Sequence, residues 1–379
     1  MGCSRLRRAK QVRKSPVRRR PARQARNERV NSFARRVLRW FDRHGRKDLP
    51  WQHPRTPYRV WLAEVMLQQT QVSTVIPYFV RFVEKLASLP DLARASADDV
   101  LALWSGLGYY SRARNLHRAA RICVERHAGA LPRDFAELAA LPGIGRSTAG
   151  AILAQAHGLR FPILDGNVRR VLARYHGVRG WPGTARVQAR LWSLAAEHTP
   201  CDRIADYTQA VMDLGATVCT RTRPACARCP LANDCVAHRD DLTDRLPQRK
   251  PTRAVPTRRT LMLLLRDRNG RVLLERRPPH GVWAELWSLP EAADMTAARA
   301  AATRARTHRS GAIGFRPLMP FVHTFSHYRL DVTPLAFDLT QGRRTEDAGN
   351  TRWLQLQDAL KLGLPAPVRK LLENLSKEP

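Results

Sequence analysis

The stretch Leu141-Pro142-Gly143-Ile144-Gly145-Arg146-Ser147 joins two segments that have the pattern of helices. Asp134 and Glu137 open the first segment at the spacing of a helix N-cap and its N3 partner. Because glycine has no Cβ, the turn can bring backbone N–H groups close to a phosphate at the start of the second segment, where the helix dipole favours an anion. The stretch therefore predicts two helices whose turn grips a DNA backbone; a plain joint between helices is the alternative.

The charge of the chain supports a polyanionic partner. Its 379 residues hold 66 Lys or Arg and 32 Asp or Glu, a net charge of +34. The first 29 residues account for +11, so the other 350 still carry +23. The hydrophobic fraction of 44% excludes wholesale disorder. Nucleic acid is the expected partner and a membrane surface the alternative. No apolar run approaches the ~20 residues of a spanning helix, and an obvious one covers only residues 261–265.

The N-terminal segment has no apolar signal-peptide core. It is rich in arginine and nearly free of acids, which predicts a disordered tail over residues 1–29 that touches DNA phosphate. A mitochondrial presequence is the alternative. Seven cysteines, four of them crowded together, indicate a reducing compartment and a metal site rather than disulfides. We expect a cytoplasmic, nucleoid-associated protein of bacterial type.

The hydrophobic pattern divides the chain into two folded domains. Residues 30–245 have helical periodicity and few β-branched alternations, which predicts an all-α domain. The proline-rich and basic residues 246–257 indicate a linker. Residues 258–376 predict an α+β domain, in which Asn269-Gly270 joins two strands of a hairpin. The helices of the first domain are predicted over residues 57–71, 72–85, 97–104, 112–127, 135–141, 146–157, 168–175, 184–197 and 205–215.

Four cysteines within seventeen residues, Cys219, Cys226, Cys229 and Cys235, form the strongest metal motif. Structural zinc usually takes two tight Cys-x-x-Cys pairs, and this loop has one pair with longer arms on either side. The spacing favours an iron–sulfur cluster, although it differs from the ferredoxin spacings. Zinc and unliganded thiols are the alternatives.

Two carboxylates, Glu64 and Asp165, have sequence neighbours that suggest a catalytic role. Glu64 lies in Trp61-Leu-Ala-Glu-Val-Met-Leu-Gln-Gln-Thr-Gln71, where loss of hydration would raise its pKa, as a general acid requires. An ion pair with an arginine is the alternative. Asp165 lies in Ile163-Leu-Asp-Gly-Asn-Val168, where helix capping is the alternative. The two are 101 residues apart in sequence, so the spacing does not show that they meet.

A pair of tyrosines lies on a glycine-rich loop, Gly106-Leu-Gly-Tyr-Tyr110, followed closely by two arginines. Aromatic side chains beside cations can insert into a stack of bases. Tyrosines buried in the core are the alternative.

These motifs together resemble the A/G-specific adenine DNA glycosylases (the MutY family) of the helix–hairpin–helix base-excision superfamily. The resemblance runs over about residues 33–372. It implies an all-α helix–hairpin–helix glycosylase domain with an iron–sulfur loop and an α+β, Nudix-like C-terminal domain. The stretches that carry it are residues 64–71, 106–110, 141–145 and 163–168, the four-cysteine loop, and Thr324-Phe-Ser-His327.

The resemblance implies a monofunctional enzyme that flips adenine, mispaired with 8-oxoguanine or guanine, out of duplex DNA and hydrolyses its N-glycosidic bond. Glu64 would protonate adenine N7 and then help to activate water. Asp165 would stabilise the sugar cation, as an ion pair or a transient covalent partner, with support from Asn167. Related lyases carry a lysine at the position of Ser147, so the implied product is an abasic site in an uncut strand.

The resemblance also implies the binding residues of a monomeric enzyme. The four cysteines would hold a 4Fe–4S cluster that orders a DNA-binding loop. The family often has arginine near Leu49, where Lys47 stands nearest here, which leaves the role of Lys47 open. The residues expected to contact DNA or its bases are Trp51, Leu67, Gln68, Gln69, Tyr109, Gly143, Gly145, Ser147 and Gln209, with Phe325, Ser326 and His327 as a loop that reads 8-oxoguanine.

Three other classes of protein remain as alternatives. A glycosylase-lyase is disfavoured because it needs the lysine that Ser147 replaces. A Nudix hydrolase needs an Arg-Glu-x-x-Glu-Glu cluster for magnesium, and no such cluster follows residues 281–290. A DNA-binding scaffold without catalysis would bind mismatches and release no adenine.

Overall fold

Helices form the N-terminal part of the protein, and a twisted sheet flanked by helices forms the C-terminal part. The computed structural model describes residues 22–250, 255–305, 314–325, 327–339 and 349–375. The helices of the N-terminal part are α1 (Ala22–His44), α2 (Pro57–Leu67), α3 (Val72–Lys85), α4 (Leu89–Arg94), α5 (Ala97–Trp104), α6 (Ser111–Arg126), α7 (Phe135–Ala140), α8 (Arg146–His157), α9 (Gly166–Tyr175), α10 (Ala185–His198), α11 (Ile204–Asp213) and α12 (Val236–Arg239), with a π-helical turn over Leu214–Val218 after α11.

Local sequence signals set most of these boundaries. Thr56 caps α2 by accepting a hydrogen bond from the Arg59 N–H, and Pro57 occupies the first helical position. Gly158, in the left-handed conformation, ends α8. The helix predicted over residues 57–71 stops at Leu67 because Gln69 has a φ of +60°, which no α-helix accommodates. α4 was missed, although Ser88 and Asp91 form its capping box.

The prediction of a disordered tail over residues 1–29 is wrong for its last part, because α1 begins at Ala22. Residues 22–29 consist almost entirely of Ala, Arg, Gln and Glu, which are good helix formers. Residues 1–21 lie outside the described residues.

The C-terminal part is built on two long parallel strands, which pair from Thr257 opposite Arg329 to Asp267 opposite Leu339. The predicted hairpin is confirmed: the first two strands are antiparallel, and the Asp267 carboxylate accepts hydrogen bonds from the backbone N–H groups of Asn269 and Arg271 in the turn. The elements are β1 (Thr257–Asp267), β2 (Val272–Arg276), β3 (Trp287–Ser288), β4 (Glu291–Ala292), α13 (Met295–Arg304), β5 (Arg316–Pro317), β6 (Phe321–Thr324), β7 (Arg329–Leu339), β8 (Thr351–Leu354), α14 (Leu356–Ala359) and α15 (Ala366–Leu375), with the strand order β3-β2-β1-β7-β5.

Apolar packing divides the helical part into two halves and joins one of them to the sheet. One core contains buried residues of α2–α8, such as Trp61 and Trp104, together with Trp287 and other residues of the sheet domain. A second core, with Phe33 and Leu172, holds α1, α9, α10 and α11 together. α8 contributes to both cores, so a cleft lies between the two halves where α2 faces the start of α9.

Polar contacts fix the sheet domain on the helical part. The Tyr110 hydroxyl donates to the Leu364 carbonyl at 2.9 Å, and Arg114 donates to the Ala284 carbonyl at 2.7 Å. Among the helices that the structure describes, none combines the length and apolar character that a bilayer-spanning helix needs.

Candidate functional site

A pocket of about 620 Å³ opens in the cleft between the two helical halves. It brings together side chains from α2, the loop before it, the start of α8, the start of α9 and the end of α11. Eight of the predicted site residues line this one pocket: Trp51, Glu64, Leu67, Gln68, Ser147, Asp165, Asn167 and Gln209.

Glu64 lies on α2 between buried apolar neighbours. Burial removes the hydration of its carboxylate, and the negative charge of Asp165 repels it, so its pKa rises to about 7 from an ordinary 4.5. A hydrogen bond from Gln155 Nε2 to Glu64 Oε1, 3.0 Å long, opposes this rise. The ion pair with arginine considered as the alternative is not formed by Glu64 within the described residues. A group that binds a proton near pH 7 suits general acid catalysis.

Asp165 combines two of the roles considered for it. Its Oδ1 accepts the Val168 N–H at 2.8 Å and caps α9, while the carboxylate lines the pocket opposite Glu64. Burial raises its pKa, whereas backbone hydrogen bonds, the charge of Arg170 and the amide of Asn167, at 3.1 Å, favour the ionised form. The net effect is a raised pKa, with burial as the largest cause and the hydrogen bonds and the Arg170 charge opposing it.

Ser147 lies at the start of α8, and its hydroxyl accepts the Leu164 N–H at 3.0 Å. It therefore fixes the segment that leads into Asp165. In the turn before it, Gly143 has a φ of +79°, and a Cβ there would lie 2.9 Å from that of Asn115. Gly145 is exposed and has open space around it, so its N–H and the first turn of α8 are accessible to a phosphate.

The inner wall of the pocket contains an ion pair that the sequence did not reveal. Asp213 is fully buried and accepts hydrogen bonds from the backbone N–H of Arg46, from its guanidinium and from Gln209 Nε2. Arg46, rather than Lys47, lines the pocket; Lys47 donates instead to the Asp42 carbonyl at 2.6 Å. The spacing of Gln209 and Asp213 by one helical turn was the only available signal.

The two tyrosines of the glycine-rich loop have different surroundings. Tyr109 has a φ of +49° and is 50% exposed, whereas Tyr110 is 6% exposed in the core. Tyr109 and Gln69 line one small cavity beside the turn at Gly143, between α7 and α8. Arg112, which is buried, joins the Gln69 and Tyr109 loops through hydrogen bonds of 2.6 to 3.3 Å. It donates to the carbonyls of Val65, Met66, Gln68, Leu107 and Gly108.

A crevice of about 430 Å³ separates the Tyr109 loop from the sheet domain. Phe325 and His327 line it together with Trp283, whose ring centre is 5.1 Å from that of Phe325. The predicted recognition loop therefore faces Tyr109 across this crevice, which we call the interdomain crevice. Ser326 lies outside the described residues.

The four cysteines of the loop after α11 are unpaired and partly buried. Burial and the nearby thiols of Cys219, Cys235 and Cys226 raise the pKa of Cys229 to about 11, against a backbone hydrogen bond that lowers it. Within the described residues, no three His, Cys, Asp or Glu side chains converge on the position of a single metal ion. Arg174 donates to Cys219 Sγ at 3.3 Å, which links the loop to α9.

The chain is similar to proteins of DNA repair. Residues 62–197 match the family described as HhH-GPD superfamily base excision DNA repair protein, and residues 261–374 match the NUDIX domain. The adenine DNA glycosylase of Buchnera aphidicola subsp. Acyrthosiphon pisum (strain APS) is 35% identical over 91% of this chain and 98% of the relative. The adenine DNA glycosylase of Homo sapiens is 34% identical over 90% of this chain and 73% of the relative. The structure of a thermostable thymine-DNA glycosylase aligns with a TM-score of 0.52 and 27% identity, covering 57% of this chain and 99% of that chain.

Proposed function

The chain belongs to the adenine DNA glycosylase family, the base-excision enzymes that hydrolyse the N-glycosyl bond of adenine in DNA, and we propose that it acts on adenine paired with 8-oxoguanine or guanine. The product is an abasic site in an uncut strand. One observation carries the proposed chemistry: Glu64 and Asp165 line the same pocket, where burial raises the pKa of Glu64 to about 7 while Asp165 accepts hydrogen bonds that favour its ionised form.

The reaction begins when adenine leaves the base stack and enters the pocket. Protonated Glu64 donates its proton to adenine N7 as the bond between C1′ and N9 breaks, so the base takes the bonding electrons and departs neutral. Asp165 stabilises the positive charge that develops on the sugar. Water then adds to C1′, and the Glu64 carboxylate takes the proton that this water releases.

The turn between α7 and α8, together with Gln69 and Tyr109, supports binding to duplex DNA. The exposed turn at Gly143 and Gly145 presents N–H groups to a phosphate of the strand that carries adenine. Gln69 and Tyr109 fill the stack beside the lesion, and Trp51, Leu67 and Gln209 surround the flipped base. The net charge of +34 favours this association and a nucleoid-associated location in the cytoplasm, where the enzyme acts as a monomer.

Recognition of 8-oxoguanine is assigned to the interdomain crevice. Phe325 and His327 face Tyr109 there, so a base opposite the adenine can contact both domains at once. Ser326 belongs to the same proposed loop.

The absence of strand cutting rests on Ser147. A lyase forms a Schiff base through a lysine, and among the described residues no lysine lines the pocket. The Ser147 hydroxyl is engaged with the Leu164 N–H. Among the described residues, the pocket therefore offers no amine that could attack the abasic sugar.

Family membership suggests an iron–sulfur cluster, and we assign a 4Fe–4S cluster to Cys219, Cys226, Cys229 and Cys235. Four thiols fit its donor set. The thiols of Cys219, Cys226 and Cys235 act on the pKa of Cys229, so the four sulfur atoms are neighbours that could hold the cluster. Bound there, the cluster would order the DNA-binding loop and supply no chemistry to the pocket.

The test is incubation with duplexes that carry adenine opposite 8-oxoguanine, guanine or thymine, followed by alkali. We expect breaks at adenine opposite 8-oxoguanine and guanine only after alkali, and no covalent complex with borohydride. Breaks without alkali, trapping by borohydride, or equal release opposite thymine would contradict the proposal.

A further inference from the structure

Glu64 on α2, the proposed acid, accepts a hydrogen bond from a glutamine on the neighbouring helix α8. Gln155 lies in the last turn of α8, is 5% exposed, and donates from Nε2 to Glu64 Oε1 at 3.0 Å. In the described part of the chain, this is the only hydrogen bond to the Glu64 carboxylate. The other buried positions of α8 are Ala149, Gly150, Ala151, Ile152, Leu153 and Ala154, so Gln155 is the one polar residue on a buried apolar surface.

The second polar atom of this amide has no partner. Gln155 Oε1 is buried without a hydrogen bond in the described structure. A buried acceptor left in this state costs stability, so an apolar residue would be more stable at this position. The N–H of the amide, bound to Glu64, is therefore the contact that gives this glutamine a role.

We propose that Gln155 is a positioning residue for Glu64, whose amide N–H binds one carboxyl oxygen, Oε1, and leaves the other oxygen to carry the proton. This inference rests on the proposed role of Glu64 as the acid. Glu64 loses and regains one proton in each reaction, and Oε1 can accept the amide N–H in both states, more strongly when the carboxyl is ionised. Gln155 thereby keeps the acidic oxygen directed at the base throughout.

The charges around Glu64 do not replace this contact. Asp165, at the start of α9, repels the carboxylate. The cations Arg46, Arg170 and Arg221 line the same pocket but form no hydrogen bond to Glu64 among the described residues. On α6, Arg112 binds backbone carbonyls of α2. Removal of the Gln155 amide therefore leaves the carboxylate without a donor and should raise the pKa of Glu64.

The test is the pH dependence of single-turnover adenine release from an adenine:8-oxoguanine duplex. In the wild type, the rate should fall with a midpoint near pH 7, where Glu64 loses its proton. Gln155→Met keeps the length of the side chain and removes both polar atoms. We expect its midpoint at higher pH, and a maximal rate reduced about threefold to tenfold because the carboxyl is no longer oriented.

Gln52→Met is the matched control. Gln52 is also buried, donates to one carbonyl (that of Arg46, at 3.2 Å) and has an unpartnered Oε1, but it does not touch Glu64. Its midpoint should remain that of the wild type. Gln155→Asn, whose shorter amide cannot reach Glu64, should shift the midpoint in the same direction as Gln155→Met and serves if the latter does not fold.

An unchanged midpoint in both Gln155 variants would overturn the inference, whatever their maximal rates. Glu64→Gln, measured alongside, separates this failure from that of the proposed function. If Glu64→Gln releases adenine at the wild-type rate, the role of Glu64 as the acid is wrong. If it is inactive while the Gln155 variants keep the wild-type midpoint, only the role of Gln155 is wrong.

Discussion

The pocket around Glu64 and Asp165 and the interdomain crevice differ in what they bury. The pocket encloses carboxylates, each held by hydrogen bonds from side chains or backbone: Glu64 by Gln155, and Asp165 by Val168 and Asn167. The crevice has four aromatic side chains in its lining, and one of them, Tyr109, lies on a loop where its backbone is in the left-handed conformation. In the pocket, a low dielectric strengthens the electric fields of fixed charges, and a reaction needs such fields. In the crevice, flat rings provide contact area for a base.

The difference suggests that the pocket sets the rate of adenine release and that the interdomain crevice sets the preference for the opposite base. Changes in the pocket should alter the rate of adenine release by the same factor opposite 8-oxoguanine and guanine, because the pocket faces only the flipped base. Changes at the interdomain crevice should alter the ratio between the two duplexes and leave the chemical step nearly intact.

Asp165→Asn should have the largest effect among the pocket variants after those of Glu64. The substitution keeps the cap of α9 in shape and removes the charge that stabilises the sugar cation. We expect single-turnover adenine release to fall about 10²–10³-fold on both duplexes. A loss confined to one duplex would break the proposed division between pocket and crevice.

Asp213→Ala should destabilise the wall behind the pocket. Asp213 is fully buried, and its loss would strand the Arg46 guanidinium, which is 27% exposed. Breaking a buried pair from one side costs about 3–5 kcal/mol of unfolding free energy, measurable by denaturant unfolding. The control is Asp42→Ala, which breaks the exposed pair with Arg203 and should cost at most about 1 kcal/mol. Equal losses in the two variants would contradict a buried role for Asp213.

The stability of the protein should depend on the proton of Glu64. Because folding raises its pKa from 4.5 to about 7, the folded state binds the proton more tightly, and stability is lost as the pH rises through this interval. Glu64→Gln does not titrate. Relative to the wild type, its unfolding free energy should rise by up to about 3 kcal/mol between about pH 4 and pH 9. Glu125→Gln, at an exposed position of α6, is the control for a charge removed outside the pocket.

Tyr110→Phe should have the smallest effect and belongs to the interdomain crevice. It removes the hydroxyl that donates to the Leu364 carbonyl across the domain contact, worth about 1 kcal/mol. We expect the preference for 8-oxoguanine over guanine to fall about fivefold, with little change in release opposite 8-oxoguanine. Tyr58→Phe, which removes a similar bond to the Leu86 carbonyl within the helical part, should keep the preference. An equal change in both variants would refute a role for domain docking in recognition.

Local patterns predicted the helices well, because periodicity and caps act over a few residues. α3, α5 and α8 have the predicted bounds. The two-residue strands β3, β4 and β5 carry no such pattern and exist through pairing with longer strands. The parallel pairing of β1 with β7 likewise joins segments far apart in sequence.

Of the candidate site, only the residues that lie in recognisable sequence motifs could be predicted. Glu64 and Asp165 could be named from their neighbours, but their meeting in one pocket depends on how the two helical halves pack. Arg46, Asp213 and Gln155 were missed because a buried polar residue in a helix resembles an exposed one until its neighbours are known. The different fates of Tyr109 and Tyr110 follow from one left-handed backbone conformation, which the sequence only allows through its glycines.

Glu64 is the proposed acid that makes adenine leave. Its role is tested by single-turnover adenine release by Glu64→Gln from an adenine:8-oxoguanine duplex, with binding measured on the same preparation. We expect a rate lowered by about 10³-fold or more, with binding retained, since the amide fills the same volume and cannot donate the proton. A rate within about tenfold of the wild type would contradict it.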